Sequence, residues 1–152
     1  MNILEDSQIV HDTLKPNYHG TLFATKLLLP LLRPNGRLVN VSSAAGRLNY
    51  FSPVVADRLR NASSLEDVSS FLKDFQDAVE AGKEKERGFK SAAYATSKAA
   101  LNAATRIIAE EERSRGSTVL INACHPGVVN VSSTFSCRAH MIYWANQVYR
   151  RT

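Results

Sequence analysis

The stretch SAAYATSKAALNAATRIIAEEERSRGSTVLINACHPG, residues 91–127, decides the fold. Its first part is rich in alanine, and Ala100, Leu101, Ala104, Ile107 and Ile108 form one stripe at helical spacing. A polar end from Glu110 to Arg115 follows, with Gly116 placed to close the helix. Thr118 to Cys124 then reads as a strand, stopped by Pro126-Gly127. A long amphipathic helix that feeds a strand is half of a β-α-β unit, and the other strand has to lie upstream.

Upstream, Leu38-Val39-Asn40-Val41 ends in Ser42-Ser43 and reads as a buried strand. Before it, apolar residues recur at helical spacing from about Leu14 to Leu32, and Pro34-Asn35-Gly36 turns the chain. Residues 44–90 are different in kind. Ser52-Pro53 and Ser64 are helix starts, with Asp67 close to completing a capping box. Val68, Phe71, Leu72, Phe75 and Val79 mark one helical face, and Lys83 to Arg87 reads as a solvated connection. The order helix, strand, helical excursion, helix, strand predicts a parallel α/β unit with a right-handed crossover. Two strands are too few for a stable open sheet and would expose unpaired edges. After Val129 the pattern lapses, and Cys137 to Thr152 shows no convincing period.

At 44% hydrophobic and 22% charged residues, the 152-residue chain reads as one globular domain. The net charge of +5 favours anionic partners only weakly. Lysine and arginine do not gather on one face and no nucleic-acid reading motif occurs, so no nucleic-acid partner is expected. Two cysteines imply no disulfide framework and a reducing compartment. Glu5 and Asp6 interrupt any early apolar run, so no secretory signal is read at Met1. Leu22 to Leu32 is too short to span a bilayer and contains Lys26 and Pro30. The expectation is a cytoplasmic protein with no membrane partner. His11, His19, His125 and His140 have no ligand-like spacing with the cysteines, so no metal site is expected.

The chemistry-bearing residues lie at the start of the long helix. Tyr94 and Lys98 are four apart and share a helical face. A phenol, with an ordinary pKa of ~10, is a weak acid at neutral pH. A nearby ammonium favours the phenolate and makes the phenol a readier proton donor to a carbonyl oxygen. Tyr-x-x-x-Lys alone is a weak motif. Here Asn17-x-x-Gly20 and Asn40-Val41-Ser42-Ser43 precede it, and Asn122-Ala123-x-x-Pro126-Gly127 follows. Together and in this order they resemble the short-chain dehydrogenase/reductase family. In most of that family a short stretch separates the serine from the tyrosine. The 50 residues between Ser43 and Tyr94 are similar to the helical insertion of the monomeric carbonyl reductases. Phe71-x-x-Asp74-Phe75 and Gly88-Phe89-x-Ser91-Ala92-Ala93-Tyr94 agree with that type, and the resemblance runs from about Val10 to Val129.

The resemblance implies a partial Rossmann-type fold: a doubly wound parallel α/β sheet with a helical insertion between Ser43 and Tyr94. It places the family domain at 1–129, the insertion at about 44–90, and a non-family tail at 130–152. It implies an NADPH-dependent reductase of aldehydes, ketones or quinones, monomeric in its intact form, with a small carbonyl compound as substrate. Tyr94 would protonate the substrate oxygen. Lys98 would assist Tyr94 and bind the nicotinamide ribose, and Ser43 would hold the carbonyl oxygen. Asn17 would hold a relay water, and Pro126, Gly127 and the backbone at Val129 would meet the nicotinamide amide. The serine three residues after the strand asparagine does the work in this family, which selects Ser43 over Ser42.

Three features depart from the pattern. Pro16, directly before Asn17, is expected to bend the helix or shift its start. None of the 7 glycines forms the Gly-x-x-x-Gly-x-Gly turn that would receive the cofactor phosphates. After Pro126-Gly127, Val131 stands where the family has a threonine that hydrogen-bonds the nicotinamide carboxamide. The pentapeptide Val-Asn-Val-Ser-Ser, first seen at 39–43, recurs there at 129–133, where the family pattern stops. The chain is therefore expected to be truncated and inactive alone. The alternative is a non-catalytic fragment that acts through protein–protein contacts.

Overall fold

The structure is a computed structural model and describes residues 7–89 and 92–127, with the backbone of residues 143–144. Helix α1 (Ser7–Leu14) continues through a π turn (Lys15–Gly20) into α2 (Thr21–Leu28). Strand β1 (Arg37–Val41), helices α3 (Pro53–Asn61), α4 (Leu65–Glu80) and α5 (Ala93–Ser114), and strand β2 (Leu120–His125) follow. Helix α1 begins well before the expected start at Leu14. Pro16 does not end the helix. Its missing N–H falls within the π turn, where the hydrogen-bonding frame shifts.

The two predicted strands pair in parallel, from Arg37 opposite Leu120 to Val41 opposite Cys124. A third strand, β3 (Tyr143–Trp144), pairs antiparallel with the end of β2, Trp144 opposite Cys124. This strand lies where the sequence shows no strand period, and two residues are too short to carry one.

Long helix α5 lies against one face of this sheet. Ala100, Leu101, Ala104, Ile107 and Ile108 are all buried. Gly116, just past the helix, has φ of 79° and takes the left-handed turn that closes it. The insertion completes the core together with Val10 and Leu14 of α1 and Tyr18 of the π turn. Ser52 caps α3 and Ser64 caps α4, the latter in a full capping box with Asp67. The predicted α4 face, Val68, Phe71, Leu72, Phe75 and Val79, is buried, with Phe89 packed against the rings of Phe71 and Phe75. In the 83–87 connection, Glu84 is buried, whereas a solvated segment was expected.

Strand β1 was expected to be buried and is so on one face only. Asn40 points into the helical layer, while Val39 and Val41 are exposed. A β-strand alternates its side chains, and parallel sheets ordinarily carry helices on both faces. Among the described residues no helix covers the second face. Apart from Leu22, which packs against the core, the apolar residues of α2 share this fate: Phe23 is 64% exposed and Leu31, just beyond the helix, 76%.

Candidate active site

The candidate residues gather at the carboxyl ends of β1 and β2 and the first turns of α5, the end of an α/β sheet where ligands bind. Tyr94 lies in the opening turn of α5 and is 49% exposed. Lys98, one turn on, holds its ammonium 5.7 Å from the centre of the Tyr94 ring. That is within cation–π range. The same ammonium donates to the carbonyl of Val41 at 2.9 Å, which ties it to the end of β1.

The two serines after β1 separate cleanly. Ser42 is buried; its N–H donates to the Cys124 carbonyl at 2.7 Å, which extends the ladder, and its hydroxyl donates to the Lys98 carbonyl at 3.3 Å. Ser43 is half-buried and caps the short turn Ala44–Gly46, accepting from the Ala45 N–H at 3.2 Å. Its hydroxyl proton takes no part in that cap.

Asn17 sits in the π turn, and its amide donates to the Ser97 hydroxyl at 3.2 Å. Ser97 in turn donates to the Tyr94 carbonyl at 2.7 Å. Asn17 is thereby joined to the helical turn that carries Tyr94. Its neighbour Tyr18 is fully buried, and burial raises its phenol above the ordinary value, whereas Tyr94 is half exposed. Pro126-Gly127 leaves β2 beside this group, with Gly127 at φ of 83°. Val129 lies outside the described residues.

Residues 78–141 match the short chain dehydrogenase family. The solved structure of salutaridine reductase from Papaver somniferum superimposes with a TM-score of 0.73 at 30% identity, over 82% of this chain and 43% of that one. Human carbonyl reductase (NADPH) 1 is 34% identical over 122 residues, 77% of this chain and 44% of the relative. The chain belongs to the short-chain dehydrogenase/reductase family. The chain is also similar to carbonyl reductase (NADPH) 1 of Sus scrofa, at 33% identity over the same length. The menthone neomenthol reductase structure from Mentha piperita gives a TM-score of 0.68 at 31% identity. The chain spans less than half the length of the curated relatives it matches.

The short-chain dehydrogenase/reductase core contains a polar bridge that sequence reading did not single out. Thr25 of α2 donates to the Asn40 side chain at 3.3 Å, and Asn40 donates to Thr105 of α5 at 2.9 Å. The strand asparagine thus pins β1 to two helices, which aligns the strand end that bears Ser43. Arg47 and His125 also approach each other, at 3.4 Å, beside the same strand ends. Neither contact has a sequence signal, since 65 and 78 positions separate the partners.

The residues present fit the nicotinamide end of a dinucleotide. Tyr94 is open, Lys98 offers donors, and the Gly127 turn brings backbone to the same shelf. Among the described residues no group of His, Cys, Asp or Glu could hold a metal ion. No described helix is long and apolar enough to cross a membrane.

Proposed function

We propose that this chain carries the carbonyl-reducing residues of an NADPH-dependent oxidoreductase acting on aldehydes, ketones or quinones. The observation that carries this reading is Lys98 held between the Tyr94 ring and the end of β1 at Val41, two residues before Ser43. Tyr94 donates its phenol proton to the substrate oxygen, and Ser43 donates a hydrogen bond to the same oxygen. Lys98 stabilises the phenolate left behind and binds the nicotinamide ribose. Asn17 holds a relay water from the π turn, and Pro126, Gly127 and Val129 meet the nicotinamide amide. The bound cofactor supplies the hydride. Similarity to relatives named NADPH carbonyl reductases supports the coenzyme, and a cytoplasmic setting belongs to the same proposal.

The proposal includes inactivity of the chain alone. The sequence has no glycine-rich turn for the cofactor phosphates, and catalysis needs a positioned cofactor. The division at about residue 129, with a tail over 130–152, belongs to the same proposal; the family match itself runs on to residue 141. Nicotinamide mononucleotide, which lacks the adenosine half, tests the assignment by amide chemical shifts. It should perturb Tyr94, Lys98 and Gly127 with the same millimolar affinity as NADP. Silence at Tyr94 and Lys98 would overturn the site, and micromolar binding of NADP alone would overturn the missing phosphate end.

A second reading is supported by the bare surface of α2 and β1. Phe23, Leu27, Leu28, Leu31, Val39 and Val41 are all exposed, and large exposed apolar patches mark interaction sites. On this reading the chain works through protein–protein contacts. Size-exclusion chromatography should then show concentration-dependent association, and a monomer at all concentrations would exclude it.

A further inference from the structure

The turn after β1 lies unusually close to the helix that carries Tyr94 and Lys98. At Gly46, a β-carbon would stand 2.7 Å from the Lys98 carbonyl carbon, 2.8 Å from the Ala99 nitrogen and 3.0 Å from the Lys98 β-carbon. Two of these three atoms are helix backbone, which cannot swing aside. Only glycine permits the approach. The φ of Gly46 is not in the left-handed region, so the requirement is for space and not for backbone freedom.

Three hydrogen bonds close around this contact. The Asn102 amide donates to the Gly46 carbonyl at 3.4 Å. The Ser42 hydroxyl donates to the Lys98 carbonyl at 3.3 Å, and the Lys98 ammonium donates to the Val41 carbonyl at 2.9 Å. The first two are already long, so a displacement of a few tenths of an ångström breaks them. Ser43 lies inside this clamp and begins the turn that Gly46 ends.

We propose that Gly46 is a positioning residue, whose missing side chain seats the β1 end on α5 and so sets Ser43 against the Tyr94–Lys98 face. Asn102 latches the same turn from the helix side. Any side chain at position 46 lifts the turn from α5, draws the Val41 carbonyl away from Lys98 and releases the ammonium from its place beside the Tyr94 ring. The catalytic meaning of that geometry rests on the reductase reading, but the clamp itself does not.

Nuclear magnetic resonance of the full chain tests the clamp without turnover. An ammonium stem beside an aromatic ring shows ring-current shifts, which Tyr94→Leu removes and so assigns. Gly46→Ala should lower Tm and also move the Lys98 side-chain resonances toward their positions in Tyr94→Leu. Gly36→Ala is the control, because a β-carbon there would stand 2.8 Å from the Arg33 carbonyl oxygen, outside the candidate site. It should lower Tm and leave Lys98 unmoved. A folded Gly46→Ala protein with unchanged Lys98 resonances overturns the proposal. If Gly46→Ala does not fold, Asn102→Ala should produce a smaller shift of the same sign, and no shift there overturns it. Loss of cofactor binding at an intact clamp would refute the reductase reading alone.

Discussion

Helices α5 and α2 are both apolar, yet only one has found its partner. In α5 the residues from Thr96 to Thr105 are buried with the single exception of Lys98, the residue that works at the strand end. In α2 only Thr25 is buried, and it serves the polar bridge to Asn40. Phe23, Leu27 and Leu28 face outward. Apolar side chains therefore stabilise the fold in one helix and are left as surface in the other. Hydrophobic pattern specifies which face seeks burial, and the tertiary layer decides whether it is buried.

Substitution separates the two regions most strongly at the phenylalanines. Phe75→Ala, in the α4 core beneath Phe89, should cost about 3–5 kcal/mol in urea denaturation. Phe23→Ala on α2 should stay within about 0.5 kcal/mol. Equal losses at the two sites would break the comparison. Thr105→Val comes next, since it leaves the Asn40 amide buried without its partner, at a cost of about 1–3 kcal/mol. A neutral result would mean that the α2–β1–α5 bridge does not hold the layers together. The smallest effect is that of pH on the α4 cap. Backbone N–H groups of Ser63 and then Ser64 hold the Asp67 carboxyl below the usual carboxylate range. A depressed folded value gives stability that is present above the unfolded carboxylate value and lost as pH falls through the folded one. Asp67→Asn should flatten that acid decline in the urea midpoint and leave the slope above pH 6 unchanged.

The sequence made α4 and α5 legible because their apolar residues recur with the helical period and their ends carry caps, Ser64 with Asp67 and Gly116. The parallel pairing of β1 with β2 followed from a helix lying between them. Ser42 and Ser43 were distinguishable only through the family resemblance; in the structure the alternation of β1 continues just past Val41, with Ser42 buried and Ser43 half-buried. Other features had no local signal. Proline before Asn17 predicted a bend or a shifted helix start, and the structure has a π turn there in which Asn17 reaches Ser97. The exposure of Val39 and Val41 depends on a layer that does not cover them, which no strand pattern records. Gly46 looked like any loop glycine, and only the approach of Lys98 and Ala99 shows why a side chain is excluded.

Oxidation of NADPH by the purified chain with menadione, followed by the cofactor's near-ultraviolet absorbance, tests the central claim most directly. No turnover above that of Tyr94→Phe is expected, because the sequence holds no Gly-x-x-x-Gly-x-Gly turn to position the cofactor over Ser43, Tyr94 and Lys98. Sustained turnover that disappears in Tyr94→Phe would contradict it and show that this chain completes its own cofactor site.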